Sequence, residues 1–291
     1  MLAQKIAILG LGLIGGSLAR SLKRLPDPPY IIGYDSDLDS CAEALARGAI
    51  DAVADNPAAA VSEVEIAVIA VVIGAGEQIL REMLPGLGPT TVVTDVGSVK
   101  QPVTDAARAI LGGHFHNFVP GHPIAGSERS GFAAATATMY DGCTVVLTPE
   151  EETSADAVAK VEAMWQATGA ARVIAMSTQL HDRRLAATSH LPHVIAFALV
   201  EALSKLETDE DIFLLAGGGF ADLSRIAASS PPLWRDICLS NRTELLKVLD
   251  RFCSELQTAR AALAEDDGRT LEEMFAHASE IRTRFRDTRR S

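Results

Sequence analysis

A chain of 291 residues can build one large domain or two of ordinary size, each with its own core. Apolar residues make up 48% and charged residues 22%, a balance that excludes an intrinsically disordered chain. The net charge of −12 argues against nucleic acid or an anionic membrane as the main partner, and leaves any bound anion to a few placed cations.

Up to residue 173, short apolar runs alternate with helical stretches. The runs at 6–9, 30–34, 66–72, 91–96, 118–121, 144–147 and 172–174 predict strands, and 14–24, 38–47, 76–84, 99–111 and 154–168 predict helices. Continuous Val/Ile/Ala runs fit strands covered on both faces, as in a parallel sheet. The expected fold class is therefore α/β: a doubly wound Rossmann-type domain over residues 1–173. Beyond 174 the strand signals stop. Residues 178–205, 212–228, 233–264 and 270–286 predict helices, interrupted at Gly217-Gly218-Gly219 and Pro231-Pro232. The second domain, 174–291, is expected to be all-helical. Its run at 194–200 is too apolar for a free surface, so a homodimer through this domain is expected.

The first strand runs into Gly10-Leu11-Gly12-Leu13-Ile14-Gly15, which opens a helix. That context suits a dinucleotide: the glycines permit a tight turn and close backbone approach, and the helix N-terminus offers N–H donors to a pyrophosphate. Gly10, Gly12, Leu13, Ile14 and Gly15 are the candidate phosphate contacts. Asp35 ends the second strand 20 residues beyond Gly15, placed to accept from an adenosine ribose hydroxyl. Its charge repels a 2′-phosphate, and Ser36 and Asp37 add no cation, so NAD is expected over NADP. The plainer alternative is a glycine turn followed by an ordinary strand-end aspartate.

In Thr94-Asp95-Val96-Gly97-Ser98-Val99-Lys100, Ser98 ends a strand and precedes a helix. It fits either a helix N-cap or a hydroxyl at the ligand crevice. His122, in Gly121-His122-Pro123, lies just past the 118–121 strand on the same sheet edge, in a backbone fixed by glycine and proline. A neutral imidazole there can accept a proton; a turn histidine bonded to the backbone is the alternative. In the helical part, Ser189 and His193 share a face, and Pro192 between them bends any continuous helix. Asp222 and Arg225 also share a face, either as a surface ion pair or with the Arg presented to a substrate carboxylate. No metal site is expected. Cys41, Cys143, Cys238 and Cys253 form no C-x-x-C pair, and the histidines lack the further ligands of a tight site. Scattered thiols, no signal-peptide layout and an apolar stretch at 191–203 too short to span a bilayer point to a soluble cytoplasmic protein with no membrane partner.

Together these motifs resemble the prephenate/arogenate (cyclohexadienyl) dehydrogenase family of tyrosine biosynthesis. The resemblance rests on Gly10–Ser17, Asp95-x-Gly97-Ser98-Val99-Lys100, Gly121-His122-Pro123, Ser189-His190-x-Pro192-His193, Gly218-Gly219-Phe220-x-Asp222 with Arg225, and Trp234-Arg235-Asp236. It implies a site between the Rossmann domain and a helical dimerisation domain. His122 would meet the ring 4-hydroxyl, and Ser98 both that histidine and the cofactor. Ser189, His193 and Arg225 would bind substrate, with Glu128, His181 and Asp222 as gating or supporting residues. The reaction implied is NAD-dependent oxidative decarboxylation of prephenate, arogenate or both. Neither a chorismate mutase segment nor an ACT domain is evident, which points to the stand-alone form. The alternatives are another two-domain dehydrogenase of the 3-hydroxyacid type, which relies on a lysine that only Lys205 or Lys247 would supply here, or a non-catalytic NAD-binding module.

Overall fold

Five β–α repeats follow one another from the N-terminus because each apolar strand is closed off by a turn that starts a helix. The structure, a computed structural model, describes residues 2–206 and 212–288. The strands are β1 (Lys5–Leu9), β2 (Tyr30–Tyr34), β3 (Ala52–Val53), β4 (Ile66–Ile69), β5 (Val92–Asp95), β6 (Phe118–Val119), β7 (Gly121–Pro123), β8 (Thr144–Leu147) and β9 (Arg172–Ala175). The helices of the α/β part are α1 (Leu13–Leu22), α2 (Leu38–Ala46), α3 (Pro57–Val61), α4 (Ile73–Met83), α5 (Gln101–Leu111) and α6 (Ala155–Ala167).

β1 to β6 form one parallel sheet in the order β3-β2-β1-β4-β5-β6. Strands β1 and β4 are buried along nearly their whole length, as their apolar runs require, and β5 is buried throughout although it ends in Thr94 and Asp95. The chain leaves β1 for β2 on one side and reaches β4 on the other, so a crevice opens beyond the strand ends between β1 and β4. Two hydrophobic clusters cover the sheet: one includes Ile6, Ile8, Leu18, Ile31 and Trp165, the other Leu9, Leu80, Met83, Val93 and Phe118.

The strand expected at 118–121 is two strands. Pro120 lacks an N–H for the ladder; β6 stays in the main sheet, and β7 pairs antiparallel with β8 in a second sheet of order β7-β8-β9. His122 therefore sits within a strand of the smaller sheet, opposite Val146, and not on the edge of the large one. β3 and α3 escaped prediction because two and five residues are too few to show a period.

After β9 the chain is helical: α7 (Thr178–Leu185), a π-helical turn at Ala186–His190, α8 (Leu191–Ser204), α9 (Gly218–Ser224), α10 (Pro231–Ser240), α11 (Arg242–Ala264) and α12 (Gly268–Thr288). Pro192 does not end the helix. The π turn just before it takes up the irregularity that its missing N–H imposes, so Thr178–Ser204 is one continuous rod. It is 27 residues long and contains an 18-residue window of mean hydropathy 1.3, so by length and composition it could cross a membrane, unlike the 191–203 stretch considered alone. The helix expected at 212–228 is α9 flanked by 3₁₀ turns at Ile212–Leu215 and Arg225–Ala228. The one expected at 233–264 breaks at Asn241, whose side chain is taken up elsewhere. Residues 1–242 form one compact unit and 243–291 a second. In the second, Asp267 caps α12 through the backbone N–H and hydroxyl of Thr270 (3.1 and 2.7 Å).

Candidate active site

The glycine loop leaves β1 with Gly10 at φ +105°, and a Cβ there would lie 2.4 Å from the carbonyl oxygen of Ala70. A Cβ on Gly15 would lie 1.9 Å from the Gly10 carbonyl oxygen, so the turn closes only with glycine at both positions. Gly12, in contrast, faces open space within 4 Å. A loop closed on the protein side and open at Gly12 fits a pyrophosphate at the N-terminus of α1. Asp35 is tied into this loop: Oδ2 accepts the Leu11 N–H (2.6 Å) and Oδ1 the Asp37 N–H (2.9 Å). Each oxygen keeps a second acceptor site, which suits a ribose diol. Tyr140 braces the loop from behind, donating to the Ile14 carbonyl (2.6 Å). Beyond β4 and β5, at the starts of α4 and α5, lies a cavity of about 220 Å³ lined by Val71, Val72, Gly74, Asp95, Gly97 and Val103.

Asp95, in the wall of that cavity, forms a buried ion pair with Lys100, which is fully enclosed. Ser98 lies on the half-buried loop between them. It is not the N-cap of α5. The backbone N–H groups of Lys100 and Gln101 donate instead to the carboxylate of Asp182 on α7 (2.8 and 2.9 Å), which closes the helix from 82 residues away. The Ser98 hydroxyl makes no hydrogen bond to His122 or to any other described residue.

His122 instead meets His181: Nδ1 of His122 lies 2.9 Å from Nε2 of His181, and Nδ1 of His181 lies 2.7 Å from Oδ1 of Asp182. A carboxylate only accepts, so with both imidazoles neutral this order of contacts sets both tautomers. His181 donates Nδ1–H to Asp182 and accepts the Nδ1–H of His122 at Nε2, which leaves a lone pair on Nε2 of His122. That nitrogen has no hydrogen bond from any described residue. Burial holds the His122 imidazole well below the usual range, with further lowering by His181, Lys100 and His190. It is therefore neutral at pH 7. Burial acts to raise Asp182, but hydrogen bonds from His181, Lys100 and Gln101 outweigh it and the carboxyl is lowered overall. The arrangement is a base of fixed tautomer backed by an anion.

His190 is buried, with Nδ1 at 3.1 Å from the Asn241 amide nitrogen, which also donates to the Asp182 carbonyl (2.7 Å). Burial brings its pKa down to about 4, the proximity of His181 and His193 adding to this against the pull of Asp182 and the Ser98 backbone. His193 is half-buried, stacks on Trp234 at 3.4 Å between ring centroids, and donates Nδ1–H to the Ser189 carbonyl (2.9 Å). Its Nε2 is thus an acceptor while neutral, and burial together with Arg225 lowers its pKa. Arg225 pairs not with Asp222 but with Glu128, at 3.3 Å. With the Arg side chain 62% exposed, this pair contributes little to stability and is easily exchanged for another anion.

Electrostatic neighbours thus run from His122 through His181, His190 and His193 to Arg225 and Glu128. Ser98 is joined to this line only through the His190 neighbourhood, and Ser189 only through its carbonyl. Asp182, Lys100 and Asn241 are structural members to which the sequence reading gave no role; Asp182 adjoins His181 and Lys100 closes the motif that contains Ser98, but Asn241 gave no local signal.

Comparison with known proteins gives the family. The family model for the prephenate dehydrogenase nucleotide-binding domain matches residues 18–175, and that for the prephenate dehydrogenase dimerization domain matches 177–277. Cyclohexadienyl dehydrogenase of Zymomonas mobilis is 38% identical over 279 residues, 95% of this chain and 94% of the relative. Prephenate dehydrogenase of Bacillus subtilis is 36% identical over 282 residues, 95% of this chain and 75% of the relative. Among solved structures, prephenate dehydrogenase from Aquifex aeolicus in complex with hydroxyphenyl propionate and NAD+ superposes with a TM-score of 0.90 at 33% identity, covering 98% of this chain and 99% of that one. Arogenate dehydrogenase from Synechocystis gives 0.80 at 29% identity, covering 97% and 99%. A 3-hydroxyisobutyrate dehydrogenase from Mycobacterium tuberculosis, 14% identical with a TM-score of 0.54, shares only the fold. With both family models in register along the chain and the sheet, glycine loop and histidine site in place, this chain belongs to the prephenate dehydrogenase family.

Proposed function

We propose that His122 accepts the 4-hydroxyl proton of prephenate during its oxidative decarboxylation to 4-hydroxyphenylpyruvate, a step of tyrosine biosynthesis. The protein is an NAD-dependent oxidoreductase of its family. The observation that carries the role of His122 is its contact with His181 and Asp182, which leaves an unshared lone pair on Nε2. The glycine loop and Asp35 would hold NAD+, which would supply the hydride acceptor for C4 of the ring. As the ring hydroxyl gives its proton to Nε2, the new positive charge on His122 faces His181 and, beyond it, the Asp182 carboxylate. Cleavage of the bond to the ring carboxylate leaves its electron pair in the ring, which becomes aromatic as CO₂ departs. The imidazolium then returns its proton to the phenolate oxygen. Arg225, released from Glu128, binds a substrate carboxylate; Ser189 and His193 line the same pocket, and Ser98 meets the cofactor.

Prephenate is the preferred substrate in this reading, with arogenate also accepted, and NAD+ is preferred because Asp35 repels a 2′-phosphate. Steady-state kinetics over the four pairings of prephenate or arogenate with NAD+ or NADP+ tests both preferences. The highest kcat/KM is expected for prephenate with NAD+, and Asp35→Ser is expected to narrow the gap between cofactors. Exclusive use of arogenate overturns the first preference, and equal use of NADP+ the second.

We further assign residues 174–291 to substrate binding and dimerisation, in a cytoplasmic homodimer. Along α8 only Ala196 is buried, although its residues are almost all apolar, and the matched family model for this region is a dimerization domain. A second subunit covers such a face at the cost of far fewer desolvated polar groups than a bilayer would impose on Arg183, Arg184 and Glu201 of the same rod. Sedimentation at assay concentration is expected to give a dimer in detergent-free buffer; a stable monomer contradicts the assignment.

A further inference from the structure

We propose that the buried Lys100–Asp95 ion pair is a positioning device for His122, fixing the backbone on one side of the imidazole while His181 fixes the ring. The proposal rests on the reading of His122 as the proton acceptor. Lys100 donates from Nζ to Oδ2 of Asp95 and to the carbonyl oxygen of Gly121 (2.6 Å). Asp95 in turn accepts the Gly121 N–H at Oδ1 (3.1 Å) and the Gly97 N–H at Oδ2 (2.8 Å). Both backbone polar groups of Gly121, the residue joined to His122, are thus held by one pair. On the other side of the imidazole, His181 is held by Asp182, and Asp182 accepts the backbone N–H of Lys100 itself (2.8 Å). The contacts close a ring: Lys100, Gly121, His122, His181, Asp182 and Lys100 again.

Fold stability alone does not account for such a pair. Removing two charges from water costs so much that an apolar pair of the same size usually serves stability as well or better. What an apolar pair cannot do is hold one residue by its backbone N–H and its C=O together, fixing the peptide groups on both sides of it. A base must lie within hydrogen-bond reach of the proton it takes, and a misplacement of about 1 Å costs on the order of 10²-fold in rate. The groups facing His122 are His181, Lys100 and His190, with Asp95 and Asp182 as the counter-charges behind them. The Lys100 ammonium adds to the burial that keeps the imidazole neutral.

The test is the double variant Lys100→Met with Asp95→Asn, which removes both charges and nearly keeps the shape. We expect kcat to fall about 10–100-fold, with KM for prephenate and Kd for NAD+ within about twofold. The His122 ring titration, followed by NMR of ¹⁵N-labelled histidine in the free enzyme, is expected to move up by about 0.5–1 pH unit. Wild-type kcat together with a wild-type titration overturns the proposal, as does a KM that rises in step with the loss of kcat, since that is general loosening. Should the double variant not fold, Asp95→Asn alone is the smaller change; it is expected to lose at least about tenfold in kcat, and a wild-type rate there overturns the proposal equally. The titration reads the effect of the pair on His122 without turnover, so it separates failure of this proposal from failure of the proton-acceptor assignment.

Discussion

Substituting His122 by Asn is expected to lower kcat with prephenate and NAD+ by about 10²–10⁴-fold, the usual contribution of a positioned general base. Asn keeps a planar polar group of similar reach and can still accept a hydrogen bond from the ring hydroxyl, so KM should change little. What it lacks is a nitrogen that binds the proton outright. In the native site that nitrogen is singled out by the order of contacts from Asp182 through His181 to His122. A loss confined to kcat is the signature of an interaction made in the transition state alone. Rates of NADH formation for the two proteins decide the matter, and a variant turning over at near the wild-type rate would remove His122 from the chemistry.

The second large effect is expected at Arg225. Arg225→Gln should raise KM for prephenate roughly ten- to a hundred-and-fifty-fold, equivalent to losing a charge-assisted bond of about 1.5–3 kcal/mol, while the Kd for NAD+ stays nearly constant. An acidic protein has little long-range attraction for a dianionic substrate, so the local guanidinium carries the binding. His193 does not replace it, because with Nδ1–H given to the Ser189 carbonyl its neutral ring offers the substrate only an acceptor. The native Glu128 partner costs little to displace, since both groups of the pair retain contact with water. Titration of each ligand separately checks this. Weakened NAD+ binding, or a lowered melting temperature with KM intact, would make Arg225 a structural residue.

Where the determinants were local, the sequence could be read directly. The glycine loop is a strand, a turn and a helix within a dozen residues, and its closed and open positions follow from Gly10, Gly15 and Gly12. The long parallel strands announce themselves by unbroken apolar runs. Side-chain contacts were legible only when short in sequence, and the site is built from long ones. His122 and His181 are 59 residues apart, Lys100 and Asp182 are 82, and Glu128 and Arg225 are 97. Nothing in a local pattern distinguishes an Arg225 turned toward Glu128 from one turned toward Asp222, one helical turn away. Of the two readings open for Ser98, the cap fails for the same reason, because the acid that closes α5 comes from another element. The break between α10 and α11 is likewise tertiary: the Asn241 amide is committed to Asp182 and His190.

A neutral His122 must take the proton, and the pH dependence of kcat/KM for prephenate, measured on the wild type and on His122→Asn, tests this most directly. The proton acceptor works only when unprotonated, and burial lowers its pKa below the ordinary imidazole value of 6.5. The wild-type rate is therefore expected to hold from pH 7 down past that value and to fall only at more acid pH. In His122→Asn the residual rate should lose that acid limb. An acid limb at or above the ordinary imidazole value in the wild type, or the same limb persisting in the variant, would contradict the account.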